Sequence, residues 1–458
     1  MDNSSESKAH IHPGRLPAFW DRSVIFFANL KSMFFGNTEQ LGKLESEVSG
    51  VNTYGGRLIT VINTLYQSGP NLLVLEKEPN KSILSYLGET LKLSIPDIMI
   101  VEADVFSAIN KGTGDKEFRY KIDRAKEMIS SHPAGWMDGY VTDDMLVHWA
   151  RKLNKSNINT AEGCHIANNK LLLHYHLLEK GLPVIDTEVA QSQDKVQNCL
   201  DKLSRKGYTR AVAKSQIGAS GIGMIALNTS GSNKPMPDYM FYEGPCIIQG
   251  WMKPEERGIE KIYSPSVQLF VDDNSVYLYD ITEQILSKHS VHEGNIAYPP
   301  YLEDYPRLKK ELLDQAEVAA RWLHSQAYRG TASVDYLVTI RNGKLEVRIC
   351  EINARVTGAT YPSVLARHFI PHGAWIMRNL KTDEPIEGQK LLELLDSKGA
   401  LFYPGKSEGF IPINFNLNEQ GSVIKGQFLY IAENVGICTD ALKNFSDALP
   451  IGWEYDRD

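Results

Sequence analysis

The sequence of 458 residues contains few cysteines, and they are not arranged in the close pairs that bind zinc. The five cysteines are single and widely separated, at Cys164, Cys199, Cys246, Cys350 and Cys438. A structural zinc site needs closely spaced thiols or imidazoles, and a disulfide framework is typical of small secreted chains. We therefore predict a protein of a reducing, cytoplasmic compartment.

The sequence also lacks a long apolar run and a surplus of basic residues. No apolar run approaches the ~20 residues that a membrane-spanning helix needs, and the polar first residues do not resemble a secretory signal. The formal net charge is −7, from 49 Lys and Arg against 56 Asp and Glu. A sequence-independent nucleic-acid binder needs many basic side chains to displace counterions from phosphates. From these absences we predict that the protein binds neither a membrane nor a nucleic acid. They favour a soluble multidomain enzyme.

What the sequence does contain is enough length for several domains and an alternation of strand and helix patterns. At about 150 residues per domain, the chain is long enough for roughly three domains. Residues 1–20 have the character of a tail, and the next segment predicts an α/β unit with a parallel sheet. The apolar runs that predict its strands lie at 23–30, 71–79 and 98–104. The turn-rich segment at 130–140 predicts a linker.

A glycine-rich hairpin in the middle of the chain is the first candidate binding site. Residues 211–227 (AVAKSQIGASGIGMIAL) predict a strand with Lys214, a loop with Gly218, Gly221 and Gly223, and a second strand. Glycines let backbone amides approach an anion closely, and a lysine adds a point charge. The loop leads into a strand, unlike a P-loop or a dinucleotide-binding fingerprint. An ordinary glycine-rich hairpin is the alternative interpretation.

A second segment, EVRICEINARVTGATYP at 346–362, places polar side chains on one face of a predicted strand. Because alternate residues of a strand share a face, Glu351, Asn353 and Arg355 lie together. A carboxylate and an amide oxygen are ligands suited to Mg²⁺. An arginine is always charged and presents rigid bidentate donors to a phosphate or a carboxylate. The alternative is a surface strand with solvated polar residues.

Asp335, on the preceding strand, adds a second carboxylate if the hairpin has the right register. A two-residue turn at 342–343 pairs Asp335 with Cys350 and turns it away from Glu351. A three-residue loop at 341–343, with a glycine in the bulge position, places Asp335 diagonal to Glu351. The hypothesis that Asp335 is a metal ligand therefore predicts the three-residue loop.

A third segment, CIIQGWMKPEE at 246–256, is a β-branched strand that runs into Gly250 and Trp251. Backbone groups at a strand edge together with an apolar wall suit a flat heterocycle such as adenine. A plain core strand that enters a loop is the alternative.

Taken in order, these segments resemble the ATP-grasp superfamily. More narrowly, SPSVQLFV at 264–271, TEQIL at 282–286 and EINARVTGATYP at 351–362 resemble the peptide ligases of pheganomycin biosynthesis. One departure is the sequence YGGR at 54–57, where those ligases tend to have acidic residues between the Tyr and the Arg.

The resemblance implies a fold class of α/β with α+β elements and three units after the tail. These are a pre-ATP-grasp domain at 21–165, a two-lobed ATP-grasp domain at 166–380 and a small C-terminal domain at 381–458. Within the second unit it implies a lid at about 170–245 and a catalytic lobe at about 246–380.

The resemblance also implies site residues, with ATP and Mg²⁺ bound and Mn²⁺ as an alternative ion. Those implied to bind the phosphates are Lys170, Lys214, Gly218, Ser220, Gly221 and Gly223. Those implied to meet the adenosine are Gln249, Trp251 and Met252, with Gln268 and Glu260 as weaker candidates. Those implied to hold the metal are Asp335, Glu351 and Asn353. The implied catalytic residues are Lys214 and Arg355, the latter steadying the carboxylate and then the acyl phosphate.

The function that the resemblance implies is ADP-forming ligation of an amino acid or peptide carboxylate to an amine, in secondary metabolism. One alternative delivers the same acyl phosphate to the phosphopantetheine thiol of an acyl carrier protein. Another, from a different class, is an ATP-binding paralogue without catalysis. A homodimer is left open, as are substrate contacts by His292, Arg367 and His368.

Overall fold

The computed structural model describes residues 7–47, 50–102, 105, 116–219, 221–286, 292–448 and 451–453. Within these ranges the chain opens with β1 (Lys8–Ile11) and continues with β2 (Val24–Phe27), β3 (Leu72–Leu75), β4 (Asp97–Ile100), β5 (Trp136–Gly139) and β6 (Ser156–Asn157). The last five form a parallel sheet in the order β4-β3-β2-β5-β6. The alternation of apolar runs predicted such a sheet. The predicted linker is wrong, because β5 lies within it.

Short helices connect these strands. The α-helices are α1 (Thr38–Glu47), α2 (Ile62–Leu65), α3 (Lys81–Ser85), α4 (Lys116–Ser131), α5 (Asp144–Lys152) and α6 (Ala161–Ala167). A 3₁₀-helix at Val51–Thr60 precedes α2, and a π-helical turn at Tyr86–Thr90 extends α3. Among the described residues, no helix is both long enough and apolar enough to cross a membrane.

The next unit carries a four-stranded antiparallel sheet, which we call the lid. Its elements are α7 (Lys170–Glu179), β7 (Thr187–Ala190), α8 (Val196–Arg205), β8 (Arg210–Ala219), β9 (Ile222–Asn228) and β10 (Cys246–Gly250). The strand order is β7-β10-β8-β9. The expected boundary between lid and catalytic lobe at 245 is too early, because Ile247 of β10 pairs with Lys214 of β8 inside the lid sheet.

A large sheet occupies the rest of the chain. Its strands are β11 (Ile259–Tyr263), β12 (Pro265–Val271), β13 (Ser275–Leu286), β14 (His292–Ala297), β15 (Gly330–Arg341), β16 (Lys344–Asn353), β17 (Ala374–Ile386), β18 (Gly409–Leu417), β19 (Val423–Ala432) and β20 (Ile451–Trp453). The main path runs β11-β15-β12-β13-β14-β17-β19-β18. The helices are α9 (Tyr301–Asp304), α10 (Pro306–Ser325), α11 (Thr360–Phe369), α12 (Gly388–Ser397) and α13 (Val435–Ala448).

Two parts of the expected domain organisation are contradicted by this large sheet, namely the N-terminal tail and the boundary at 380. β1 pairs in parallel with β13, from Lys8 opposite Ser275 to Ile11 opposite Leu278, so these residues are not a tail. A short, polar strand at the margin of a sheet carries little hydrophobic pattern, which is why the sequence did not reveal it. The expected boundary at 380 lies inside β17, and β19 pairs along both sides of that boundary. The predicted C-terminal domain therefore continues the large sheet.

The apolar strand β2 packs on both of its faces and joins the parallel sheet to the large sheet. Ile25 and Phe27 belong to a core formed with α4 and α5. Val24 and Phe26 belong to another core, which includes residues of the large sheet such as Phe270. Successive strand residues point to opposite faces, so this run is apolar throughout because both faces are covered.

A buried ion pair fixes α11 to β13. Asp280 accepts hydrogen bonds from Arg367 Nε at 3.1 Å and Nη2 at 2.8 Å, from Trp375 Nε1 at 3.2 Å, and from the Ser363 hydroxyl. Asp280 is 1% exposed and Arg367 is 4% exposed. Because removal of one partner leaves the other charge buried and unpaired, the pair is expected to be important for stability.

We expect Asp280→Asn to lower the free energy of unfolding by about 3–5 kcal/mol, because the Arg367 guanidinium then loses its counter-charge. The matched control is Asp314→Asn, whose partner Lys310 is exposed, with an expected change of about 0–1 kcal/mol. Urea unfolding followed by circular dichroism measures both. Equal effects of the two substitutions would contradict the assigned role of the pair.

Candidate active site

The predicted metal-binding side chains lie together on the hairpin of β15 and β16. The turn has two residues, at 342–343, both with left-handed backbone (φ 49° and 71°). The ladder then shifts by one residue at Cys350, so that Asp335 pairs with Glu351. The predicted three-residue loop is therefore wrong. A β-bulge further along the strand provides the common face that the loop was expected to provide.

Asp335 is half-buried and lies in a network of polar side chains. Its Oδ1 accepts hydrogen bonds from Ser266 Oγ at 2.6 Å and Ser333 Oγ at 3.2 Å. Its Oδ2 accepts one from Asn353 Nδ2 at 2.9 Å. Burial and the charge of Glu351 raise the pKa of Asp335 to about 6, although the two hydroxyl groups oppose the shift. A carboxyl group with this environment favours a cation beside it.

A buried lysine links this hairpin to the lid. Lys170 Nζ lies 3.2 Å from Glu351 Oε2 and donates a hydrogen bond to the Gly218 carbonyl at 3.1 Å. Burial lowers the pKa of Lys170, although Glu351 opposes the shift. Burial alone would raise the pKa of Glu351, but the cations of Lys170, Lys214 and Arg355 hold it below its ordinary value. Glu351 is therefore an ionised carboxylate among cations.

Several residues that were predicted to bind ATP line a cavity between the lid and the large sheet. It is lined by Lys170, Lys214, His174, Gln249, Cys350 and apolar side chains of both units. Gln249 Nε2 donates to Thr187 Oγ1 at 3.1 Å, while its buried Oε1 has no partner among the described residues. Two lysines, an apolar wall and an unpaired amide oxygen are suited to a nucleotide, whose phosphates and base need those groups.

The glycines beside Lys214 are required by close packing or by backbone conformation in the hairpin of β8 and β9. A Cβ atom at Gly218 would lie 2.6 Å from the Ile222 carbonyl oxygen. Gly221 and Gly223 have φ of 80° and 83°, which side-chain-bearing residues rarely adopt. Ser220, which the resemblance assigned to the same loop, lies outside the described residues.

Other predicted residues do not line this cavity. Gln268 is fully buried, and it donates to Ser266 Oγ at 2.9 Å and accepts from Thr357 Oγ1 at 3.3 Å. It therefore lies behind Asp335 in the polar network. Glu260 accepts from the backbone amide of Gly343 at 2.8 Å, at the hairpin turn.

Trp251 and Met252 follow the last lid strand. The backbone amide of Trp251 donates to the Arg210 carbonyl at 3.0 Å, and Met252 packs against the lid core. Both therefore lie in the segment that connects the lid to the large sheet.

Arg355 is held by Asn168, a residue that the sequence analysis did not assign to the site. Asn168 Oδ1 accepts from Arg355 Nη1 at 3.0 Å and from the Ala354 amide at 3.1 Å. Its Nδ2 donates to the Cys164 carbonyl at 2.9 Å. The available signal was the pair of asparagines before Lys170, of which Asn169 caps the helix. Asn168 is therefore a positioning residue for the guanidinium.

A second cavity lies between the parallel sheet and the large sheet, and Arg355 is part of its lining. The other lining residues include Asp138, Tyr140, Phe270 and Tyr328. Asp138 Oδ2 accepts a hydrogen bond from Tyr66 OH at 2.6 Å. Burial raises the pKa of Asp138 to about 6, although the hydrogen bond from Tyr66 opposes this shift. The sequence analysis missed Asp138 because it lies in the segment assigned to a linker.

The three residues left open for substrate contacts have different surroundings. Arg367 is committed to Asp280 and is therefore structural. Burial lowers the pKa of His368, whose ring contacts Phe369. His292 Nε2 lies 2.8 Å from Asn295 Nδ2.

The residues present fit a magnesium ion. Among the described residues, no group of three His, Cys, Asp or Glu side chains is arranged to hold a metal. The candidate ligand set is instead two carboxylates and one amide. Mg²⁺ is commonly bound by one or two carboxylates, with waters and ligand phosphates completing its shell.

Comparisons with known proteins agree with the architecture. No protein-family model matches the chain. Over 231 residues, or 48% of this chain, it is 23% identical to the [butirosin acyl-carrier protein]–L-glutamate ligase of Niallia circulans, and it spans about half (51%) of that relative.

Solved structures resemble nearly the whole chain. Biotin carboxylase of Campylobacter jejuni, in a complex with a nucleotide, is 13% identical with a TM-score of 0.55, covering 94% of this chain and 92% of its own. An ADP complex of a purK N5-carboxyaminoimidazole ribonucleotide synthetase is 14% identical with a TM-score of 0.53, covering 93% and 96%. The chain therefore has the same overall fold as these two structures, and the α/β fold class that the resemblance implied is confirmed. The narrower resemblance to pheganomycin peptide ligases stays a prediction.

We expect Lys214→Ala to weaken ADP binding about tenfold or more, which corresponds to about 1.4 kcal/mol, because the cavity loses one of its two lysines. Lys202→Ala is the matched control, since that lysine lies on α8 of the lid and pairs with Glu188 at 3.0 Å. Isothermal titration calorimetry with ADP and Mg²⁺ measures both affinities. Equal affinities of the two variants would contradict the assignment of this cavity to a nucleotide.

Proposed function

We propose that the protein is an ADP-forming ligase that activates an amino acid or peptide carboxylate with ATP and transfers the acyl group to an amine. The observation that carries the proposal is the juxtaposition of two carboxylates with three cations where the lid meets the large sheet. Glu351 lies beside Lys170 and within the electrostatic influence of Lys214 and Arg355. Attack of one anion on another requires such an arrangement of charge.

In this proposal ATP occupies the cavity between the lid and the large sheet. Lys170 and Lys214 bind its phosphates, and Gln249 Oε1 accepts a hydrogen bond from the adenine amino group. The hairpin with Gly218 and Gly223 covers the phosphates. Trp251 and Met252 form the connection across which the lid closes.

Asp335, Glu351 and Asn353 would hold Mg²⁺ in this proposal. The ion supplies neutralisation of the phosphate charge when bound. Glu351 is engaged by Lys170 in the structure, at 3.2 Å. A phosphate that binds Lys170 replaces Glu351 as its anionic partner, which leaves the carboxylate available.

The chemistry begins when an oxygen of the substrate carboxylate attacks the γ-phosphorus of ATP. The bond from that phosphorus to the bridging oxygen breaks, ADP leaves, and an acyl phosphate remains. The amine then attacks the acyl carbon, the carbon–oxygen bond to phosphate breaks, and the amine loses a proton. Arg355, held by Asn168, is placed to neutralise the carboxylate and then the acyl phosphate. No cysteine or serine nucleophile is required, and closure of the lid limits hydrolysis.

A carrier-protein thiol is the second candidate acceptor. It is favoured by the 23% identity over 231 residues to a ligase that loads L-glutamate onto an acyl carrier protein. The activation step is the same, and only the attacking atom differs. A role in secondary metabolism belongs to this proposal, and the similarity to a ligase of butirosin carrier protein supports it.

The test is a panel of amino acids measured by phosphate release, with hydroxylamine present to trap an acyl phosphate as a hydroxamate. We expect ADP and phosphate in equal amounts, and mass spectrometry then identifies the hydroxamate. Formation of AMP and pyrophosphate would overturn the mechanism. The absence of ADP formation with every amino acid, peptide and carrier protein tested would favour the non-catalytic alternative.

We expect Glu351→Gln to reduce substrate-dependent ADP release by about 10²-fold or more, because it removes one of the two carboxylates that would hold Mg²⁺ at the phosphoryl-transfer site. The control is Glu346→Gln, on the same strand but paired with Arg348 at 2.9 Å. Steady-state phosphate release measures turnover, and circular dichroism checks the fold. Unchanged turnover of the Glu351 variant would disprove its assigned role.

A further inference from the structure

Arg57 is a buried cation to which no neighbouring side chain among the described residues supplies a counter-ion. It is 9% exposed and lies in the 3₁₀-helix Val51–Thr60. Its guanidinium carbon lies 3.6 Å from the centre of the Tyr54 ring, and Nη1 donates to Tyr361 OH at 3.3 Å. Its Nε is buried and has no hydrogen-bond partner in the part of the chain that the structure describes. The described groups that act most strongly on its charge are phenols rather than carboxylates.

Close packing explains why the adjacent residues do not supply an acid. A Cβ atom at Gly55 would lie 2.6 Å from Leu75 Cδ2, and one at Gly56 would lie 2.5 Å from Asn414 Oδ1. A side chain at either position would require these neighbours to shift, and with glycine at both positions this part of the helix provides no carboxylate. Arginine is almost never buried unless it is paired. The partner of this guanidinium must therefore come from outside the helix.

The position of Arg57 points to the substrate as that partner. Tyr140 interacts with Arg57 and also lines the cavity that contains Arg355. Tyr361, which accepts the hydrogen bond from Arg57, lies at the start of α11, within the same EINARVTGATYP segment that carries Arg355. Through Tyr140, the guanidinium is thus one side chain away from the cavity that Arg355 lines.

The other cation near Arg57 already has an anionic partner. Arg57 and Arg378 both act on His292, whose pKa is lowered by burial and by these cations. Glu293 pairs with Arg378 at 3.1 Å. Among the described residues, no carboxylate pairs with Arg57 in the same way. An anionic group of the substrate would therefore be the first carboxylate partner of Arg57.

We propose that Arg57 binds a second carboxylate of the donor substrate, and that the donor is a dicarboxylic amino acid or an acidic peptide. This inference rests on the proposed ligase function. Arg355 faces the carboxylate that is activated, and Arg57 holds the one that is not. A planar guanidinium on an aromatic platform presents two parallel N–H donors to a carboxylate, which gives both affinity and orientation.

The experiment compares wild type, Arg57→Lys and Arg57→Met in hydroxamate formation from L-glutamate, L-glutamine, L-aspartate and L-asparagine. Hydroxylamine serves as acceptor, so that only the donor is tested. We expect wild type to prefer the acid of each acid–amide pair. Arg57→Met should raise the KM for that acid about tenfold or more at an unchanged KM for ATP, because one charge-assisted contact is lost. The KM of Arg57→Lys for the acid should be intermediate, because lysine keeps the charge but lacks the two parallel N–H donors of the guanidinium.

Thermal unfolding separates substrate recognition from a structural role. Without substrate, we expect Arg57→Met to melt at the same temperature as wild type or higher, because the substitution removes an unpaired buried charge. L-glutamate should raise the melting temperature of wild type but not that of Arg57→Met. The matched control is Arg348→Met, an arginine already paired with Glu346, which should retain the response to glutamate.

Three outcomes would overturn the inference. One is an Arg57→Met variant that melts lower than wild type and keeps the wild-type preference for acids over amides. Another is a wild-type enzyme that forms hydroxamates from neutral amino acids in preference to acidic ones, which leaves the ligase function intact. The third is an L-glutamate response in the melting curve that is equal in wild type and Arg57→Met, a result that does not depend on catalysis.

Discussion

The buried amine of Lys170 connects the two halves of the candidate active site. It contacts Glu351 on the large sheet at 3.2 Å and the Gly218 carbonyl in the lid hairpin at 3.1 Å. A buried charge costs several kcal/mol unless its partners stay in place. Displacement of the lid hairpin therefore removes an acceptor from Lys170 and changes the environment of Glu351. Under the proposed function, the position of the lid and the readiness of the metal-binding carboxylate are set by the same side chain.

Under the proposed function, the first unit of the chain contributes more than structural support to the donor site. Its strand β2 joins two cores, and the segments that follow supply Arg57, Asp138 and Tyr140 beside the large sheet. The proposed nucleotide site is built instead from the lid and the hairpin of β15 and β16. Phosphoryl transfer and donor selection would then depend on different pairs of units, so that one could vary while the other is kept.

The residue types of the candidate site could be predicted from the sequence more readily than their geometry. Lys214 and Glu351 were identifiable because charged side chains within apolar strands are costly without a use, whereas Lys170 was identified only through the resemblance to the ATP-grasp superfamily. The strand β1 and the continuation of β17 through Leu380 could not be identified from the sequence, because sheet pairing between distant segments leaves no local pattern. Asn168 and Arg57 have roles that depend on what surrounds them in space, which periodicity does not encode. Gln268 was assigned to the nucleotide because a strand position alone does not distinguish a cavity wall from the layer behind it.

The bulge at Cys350 has a consequence for how related chains are aligned. Between the hairpin turn and the carboxylates, β16 carries one more residue than β15, because the residue at 350 has no opposite partner. An alignment that counts residues outward from the turn will therefore place Glu351 one position away from its counterpart in a hairpin without the bulge. A relative with a three-residue turn and no bulge would present the same two carboxylates to the same face. Apparent insertions and deletions in this hairpin should be judged by which residues of the two strands point to the same face of the sheet, rather than by the length of the gap.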